Sequence, residues 1–456
     1  MRARTGLAAL GALALLAGGS PATAQVSPQP GPPSATRPYI PRIASKAMET
    51  DRFRSIAIKV AGDAALLYEP KTPLAGKGRV AIVYANNRFD FGPPAIELAS
   101  RGYRVLHVSA PPSSPGAPPT PYDNFKQVSA GIAYMRALPG VRRVVVAGWG
   151  AGAATMTLYV ALAQKGPAVC QNRQVIYPCV PEQASGLAKP DGMILFDAGP
   201  GSGSRPSQVD PDRPDLDVHS VANGYDPATD TAHFPATFRA QYFAAQSARN
   251  DAFIDAGLAR LSALGGPTGR QDEMMAPNTP PTVDALSGAD LTLQSHTKQP
   301  HLLLKADGTR DEEILRSVRP TASQIPGPPP PKPGQPPPPP RRFSLREYLA
   351  NDAIRTTKDF AFTEDDIVGV DWASSNLGTP AQAESVTVPA LLVTNTCFQF
   401  VVSAEIVLDH LASKDKEQVG VEGSQHEFTP CKPEYGDTKK RLFDYTADWL
   451  AKPGRF

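Results

Sequence analysis

From Phe53 onward the chain alternates short apolar runs with segments whose apolar residues recur at helical spacing. Residues 79–86 (RVAIVYAN) form a continuous apolar run of the kind buried on both faces of a parallel sheet. Residues 93–100 predict a helix ended by Gly102, and 103–110 predict the next strand. Asn124 stands where a helix cap belongs, ahead of an apolar face made by Phe125, Val128, Ile132 and Met135, and Pro139-Gly140 stops that helix. Strands follow at 142–148 and 191–198, with a helix over 153–164 between them. The alternation then breaks off at Gly201 and resumes after Pro389. Beyond the break come a strand at 390–395, a helix at 404–412, a strand at 417–423 and a last amphipathic helix capped near Asp437. That helix carries Leu442, Phe443, Trp449 and Leu450 on one side.

This order predicts an α/β fold, a mainly parallel sheet flanked by helices and joined by right-handed crossovers. An interruption of that length inside one sheet predicts an inserted subdomain rather than a loop. The insertion contains helical patterns at 238–264 and 345–356, and a proline run within 326–342 that suits a solvated polyproline spacer. Tyr225-Asp226, Ser295-His296 and His301 are polar positions within it that suit turns and loops. The expected division is a core first part at 46–200, a cap insertion at 201–385 and a core second part at 386–456.

Composition narrows the function. Of 456 residues, 46 are Lys or Arg and 44 are Asp or Glu, a net charge of +2. That near-balance excludes a nucleic-acid binder relying on bulk basicity. Arg2 and Arg4, an apolar stretch over 6–19 and Ala22-Thr23-Ala24 have the three parts of an export signal at 1–24, cleaved after Ala24. A Pro-rich leader at 25–45 follows, so the expected location is periplasmic or secreted, with no membrane segment left after signal removal. In an oxidising compartment the four cysteines predict disulfides. Cys170 and Cys179 lie close enough for a local loop bridge, leaving Cys397 and Cys431 as the other pair. There is no CxxC and no HExxH, so no metal and no cofactor is expected.

The chemistry concentrates in two motifs. Gly148-Trp149-Gly150-Ala151-Gly152 sits between a predicted strand and a predicted helix. The frame resembles the nucleophile elbow of the α/β-hydrolase superfamily, in which flanking glycines permit a turn too tight for side chains. A dinucleotide-binding loop is the competing interpretation, but the chain lacks a full G-x-G-x-x-G there. Where the family carries its serine, this chain has Gly150. The second motif, Gly423-Ser424-Gln425-His426-Glu427-Phe428, follows a strand and precedes the last helix, so the resemblance gives His426 the role of catalytic histidine. The family's acid commonly follows the preceding strand, yet no Asp or Glu occurs between Ala390 and Ser403. Phe398 and Gln399 stand near the expected position instead. Asp197, after the 191–198 strand, has two readings: an acid orienting His426, or a turn former before Gly199-Pro200-Gly201.

By the same resemblance, Asn86, Asn87, Trp149, Ala151, Phe398 and Gln399 surround the substrate and oxyanion pocket. Cys397 and Cys431 should then lie in loops after neighbouring strands at the sheet edge. The implied activity is on a small hydrophobic or aromatic ester, lactone or related carbonyl compound, using His426 and the oxyanion pocket without a serine. The alternative is a catalytically inactive relative that binds a small molecule or a partner.

Overall fold

The structure is a computed structural model and describes residues 47–72, 77–86, 92–109, 120–201, 209, 213–267, 272–275, 285–321 and 343–456. The export signal, the leader, Asn87 and the proline run at 326–342 lie outside the described residues.

The core begins with an antiparallel hairpin, β1 (Phe53–Val60) and β2 (Asp63–Pro70). Ala61 and Gly62 turn it, both at positive φ (53° and 88°), the backbone that matches strand twist in a two-residue turn. The alternating series follows: β3 (Val80–Asn86), α1 (Pro93–Ser100), β4 (Arg104–Ser109), α2 (Phe125–Ala137), β5 (Arg143–Trp149), α3 (Ala151–Lys165) and β6 (Gly192–Phe196). The break in the sequence pattern then holds a long helix, α4 (Ala236–Ala263), a hairpin of β7 (His296–Leu304) and β8 (Arg310–Arg316), and a second hairpin of β9 (Arg355–Phe362) and β10 (Ile367–Asp371). The core closes with β11 (Ala390–Asn395), α5 (Val401–His410), β12 (Lys416–Val421) and α6 (Thr438–Leu450), whose cap is the Asp437 carboxylate accepting the Lys440 N–H.

Among the described residues, ten strands make one sheet in the order β1-β2-β4-β3-β5-β6-β11-β12-β7-β8. Only β2 and β8 run against the rest. The first eight positions of that order, with antiparallel β2 and helical crossovers on both faces, are the α/β-hydrolase arrangement. One face buries Phe125, Ile132, Met156, Leu158 and Val407 from α2, α3 and α5. The other buries Leu98, Leu442, Phe443 and Trp449 from α1 and α6. Burying both faces explains why the central strands read as unbroken apolar runs.

Three features differ from the sequence expectation. His296 and His301, expected in turns and loops, lie within strand β7. The β7-β8 hairpin, drawn from within 201–385, pairs in parallel with β12, so the strand preceding the His426 loop is interior and not the sheet edge. The pattern at 345–356 predicts one helix, but helical turns end at Asp352 and strand β9 begins at Arg355. Cross-strand pairing with β10 and packing of Phe360 and Phe362 on Phe243 of α4 override the local preference there. The remainder of the insertion builds its own apolar cluster around Phe238, Tyr242 and Phe243, seated on Val402 and Ile406 of α5.

Candidate active site

Because β5, β6, β11 and β12 are parallel, their C-terminal ends converge at one rim of the sheet. Three glycines shape the junction of β5 and α3. A Cβ on Gly148 would meet the Gly152 carbonyl oxygen at 2.3 Å, and one on Gly152 would meet the Ala85 carbonyl oxygen at 2.8 Å. Both obstacles are backbone, so neither can swing away. Gly150 has φ 55° and ψ −120° and caps α3, a conformation that glycine adopts freely and other residues only with strain. Its N–H donates to the Phe196 carbonyl at 3.0 Å, fixing the elbow against β6.

Asp197 follows β6 directly and is fully buried. It holds φ 46° although it is not glycine, and its N–H donates to the Val393 carbonyl at 2.7 Å. One carboxylate oxygen accepts the backbone N–H of Asn395 at 3.2 Å. The other lies 2.5 Å from His426 Nδ1. Burial pushes the Asp197 carboxyl above its ordinary range, opposed by the His426 and Asn395 hydrogen bonds. With Nδ1 donating to the carboxylate, the imidazole presents its Nε2 lone pair. Asp197 thus bonds His426 from the segment that leads into Gly199-Pro200-Gly201.

His426 sits on a short turn that tertiary contacts lock. Gly423 has φ 67°, and any Cβ there would enter the Tyr435 ring at 1.9 Å. Gln425 N–H donates to the Thr429 carbonyl, Phe428 N–H to the Gln425 carbonyl, and the fully buried Phe428 ring packs 4.9 Å from Trp149. The cysteines pair as Cys170–Cys179 and Cys397–Cys431. The second bridge ties the loop after β11 to the His426 turn, reinforced by Cys397 N–H donating to the Ser424 carbonyl at 2.9 Å.

The imidazole lies among aromatic rings. Phe398 stacks on it at 4.6 Å between centroids with 24° between planes, Trp149 lies at 5.1 Å, and Phe400 stands edge-on at 6.1 Å. Trp149 Nε1–H also donates to the His426 carbonyl at 3.1 Å, so the elbow holds the histidine turn directly. On the far side, the ideal Cβ position at Gly150 is 3.0 Å from both Nε2 and Cε1 of His426. The structure therefore brings Gly150, Asp197, His426, Trp149 and Phe398 together. Ala151 is the first residue of α3, where a helix N–H has no intrahelical acceptor. Asn86 is nearly buried at the end of β3, its amide donating to the Tyr84 hydroxyl at 3.1 Å. Gln399 is half-buried beside Phe398.

Two contributors went unread in the sequence. Asn395 acts through its backbone, which no residue-type search detects, although it ends a strand that was legible. Phe400 touches His426 and also closes over Gly199, where a Cβ would meet its ring at 2.9 Å. Among the described residues, no group of three or more His, Cys, Asp or Glu side chains is placed to hold a metal ion. Nor is any helix among them long and apolar enough to cross a membrane.

No family model and no curated protein sequence matches the chain. Solved structures do overlap it. A soluble variant of the monoglyceride lipase of Saccharomyces cerevisiae is similar at 10% identity and TM-score 0.39, covering 89% of this chain and 96% of that one. The esterase domain of a Rhodothermus marinus protein is similar at 10% identity and TM-score 0.34, covering 88% and 98%. Carboxyl esterase 2 of Tuber melanosporum is similar at 10% identity and TM-score 0.35, covering 88% and 87%. The overlaps are loose, and the fold stands on its own strand order and crossovers.

Proposed function

We propose that this chain is an exported α/β-hydrolase-type enzyme that cleaves a small hydrophobic or aromatic ester, lactone or related carbonyl compound without a serine. One observation carries the reading. The His426 imidazole is bonded through Nδ1 to buried Asp197, and its Nε2 faces the elbow at the position of Gly150. A histidine serving only as filler has no need of a fully buried carboxylate held at positive φ. In the proposed reaction the substrate carbonyl oxygen points to the Ala151 N–H at the start of α3, where the helix favours developing negative charge. Nε2 supplies the basic atom, Asp197 holds the tautomer and steadies the imidazolium, and water is the final acceptor of the acyl group. The rings of Phe398, Phe400 and Trp149 favour an apolar or aromatic substrate.

Gly150 also favours a second reading, a binding protein on a hydrolase scaffold, because glycine supplies no attacking atom. A panel of aryl esters and lactones, assayed with the mature chain, His426→Ala and Asp197→Asn, separates the two. The enzyme reading expects wild-type turnover resistant to a serine-directed fluorophosphonate, lowered ~10²–10⁴-fold in both variants. Ligand retention without turnover, unchanged in His426→Ala, establishes the binding reading.

A further inference from the structure

We propose that His426 Nε2 is itself the nucleophile, receiving the acyl group directly at the place where a serine oxygen would attack. The inference rests on the proposed hydrolytic reading and assigns the attacking atom. An ideal Cβ at position 150 would lie 3.0 Å from Nε2, closer than side chains ordinarily approach one another. A carbonyl carbon bound over the elbow then lies on the side that Nε2 faces, and attack requires the two atoms to close to ~3–3.5 Å. In a serine enzyme the hydroxyl stands between the imidazole and the substrate. With Gly150 there is no side chain to intervene.

The surroundings suit attack by nitrogen. The Nδ1 bond to Asp197 directs the lone pair to Nε2, and the Phe398 stack and the Trp149 contact fix the ring plane. Trp149 and the Cys397–Cys431 bridge hold the turn that carries it. The ring is only a quarter exposed, so bulk water has restricted access to it.

The step balances without a further reagent. The Nε2 lone pair forms the N–C bond, and the carbonyl π pair moves to the oxygen facing the Ala151 N–H. As that oxyanion collapses, the C–O bond to the leaving group breaks and its electrons depart as phenolate or alkoxide. The product is an Nε2-acyl imidazolium whose Nδ1–H remains bonded to the Asp197 carboxylate. Water then adds to the acyl carbon and the C–N bond breaks, returning its pair to Nε2. The two protons of that water end on the departed alcohol and on the released acid.

The test uses the mature chain and p-nitrophenyl dimethylcarbamate, whose carbamoyl group leaves nitrogen slowly. Peptide mass mapping should find one carbamoyl group per chain on the peptide carrying His426, and none in His426→Ala. In parallel, phenyl acetate and p-nitrophenyl acetate are hydrolysed in the presence of hydroxylamine. A shared acyl-enzyme requires the same ratio of hydroxamate to acetate from both esters. Turnover dependent on His426 with no carbamoyl group there, and with a ratio that follows the leaving group, overturns the nucleophile while leaving the hydrolase reading intact. A carbamoyl group on His426 without ester turnover supports the nucleophile and overturns the hydrolase reading. Neither adduct nor turnover overturns both.

Discussion

At Gly150 the absence of a side chain bears directly on the proposed chemistry. Its φ of 55° costs glycine little but costs a residue with a Cβ about 1–3 kcal/mol. A serine Cβ would also lie 3.0 Å from His426, so the imidazole must give by a few tenths of an ångström. Gly150→Ser is therefore expected to fold, with stability lowered by roughly 1–3 kcal/mol in urea unfolding. Since Asp197 already holds His426 Nδ1, the introduced hydroxyl should react with a fluorophosphonate in the single variant, with no further substitution needed at Phe398 or Gln399. Asp197→Asn in that background should silence the reaction. A Gly150→Ser protein that folds yet resists the probe would mean that His426 is not oriented to activate the elbow.

At the scale of the element, the start of α3 is built from backbone against backbone. Gly148 has the Gly152 carbonyl oxygen at 2.3 Å from its ideal Cβ, and Gly152 has the Ala85 carbonyl oxygen at 2.8 Å. Relief at either position requires α3 to move relative to β3 and β5, which displaces the elbow from His426. Gly148→Ala should cost about 3 kcal/mol or more and Gly152→Ala about 1–3 kcal/mol. Both should lose activity beyond what the folded fraction explains. Chemical unfolding with activity measured on the folded protein checks the order. Equal stability of Gly148→Ala and wild type contradicts the close approach.

Across the whole molecule, the Cys397–Cys431 bridge joins the loop bearing Phe398 to the turn bearing His426. It closes a span of 34 residues, worth about 3–4 kcal/mol in the chain-entropy view. Replacing both cysteines by serine should lower stability by that order and activity by more, because Phe398 and His426 lose their common anchor. Cys170–Cys179 spans only 9 residues away from the imidazole, so its removal should affect stability less and leave substrate specificity unchanged. Thermal melts and steady-state kinetics on the two double variants check the contrast.

The order of the core strands and helices was legible because burial on both sheet faces forces continuous apolar runs, which few other structures require. The glycine frame and His426 were legible for a related reason, as their spacing serves one tight turn and one loop. The β7-β8 hairpin was not legible. Pro300 interrupts its first strand and charged residues fill RDEEILR in the second, a composition that suits a sheet edge and hides the strand. The contact between Asp197 and His426 also lay beyond the sequence, which left Asp197 equally a turn former. Local preference cannot register a partner 229 positions away, and only the parallel packing of β6, β11 and β12 brings its carboxylate to His426. The sequence by itself determined the six central strands of the sheet and the glycine frame around Gly150. The tertiary structure decided which acid meets the imidazole and what its Nε2 faces, since both depend on contacts between distant segments.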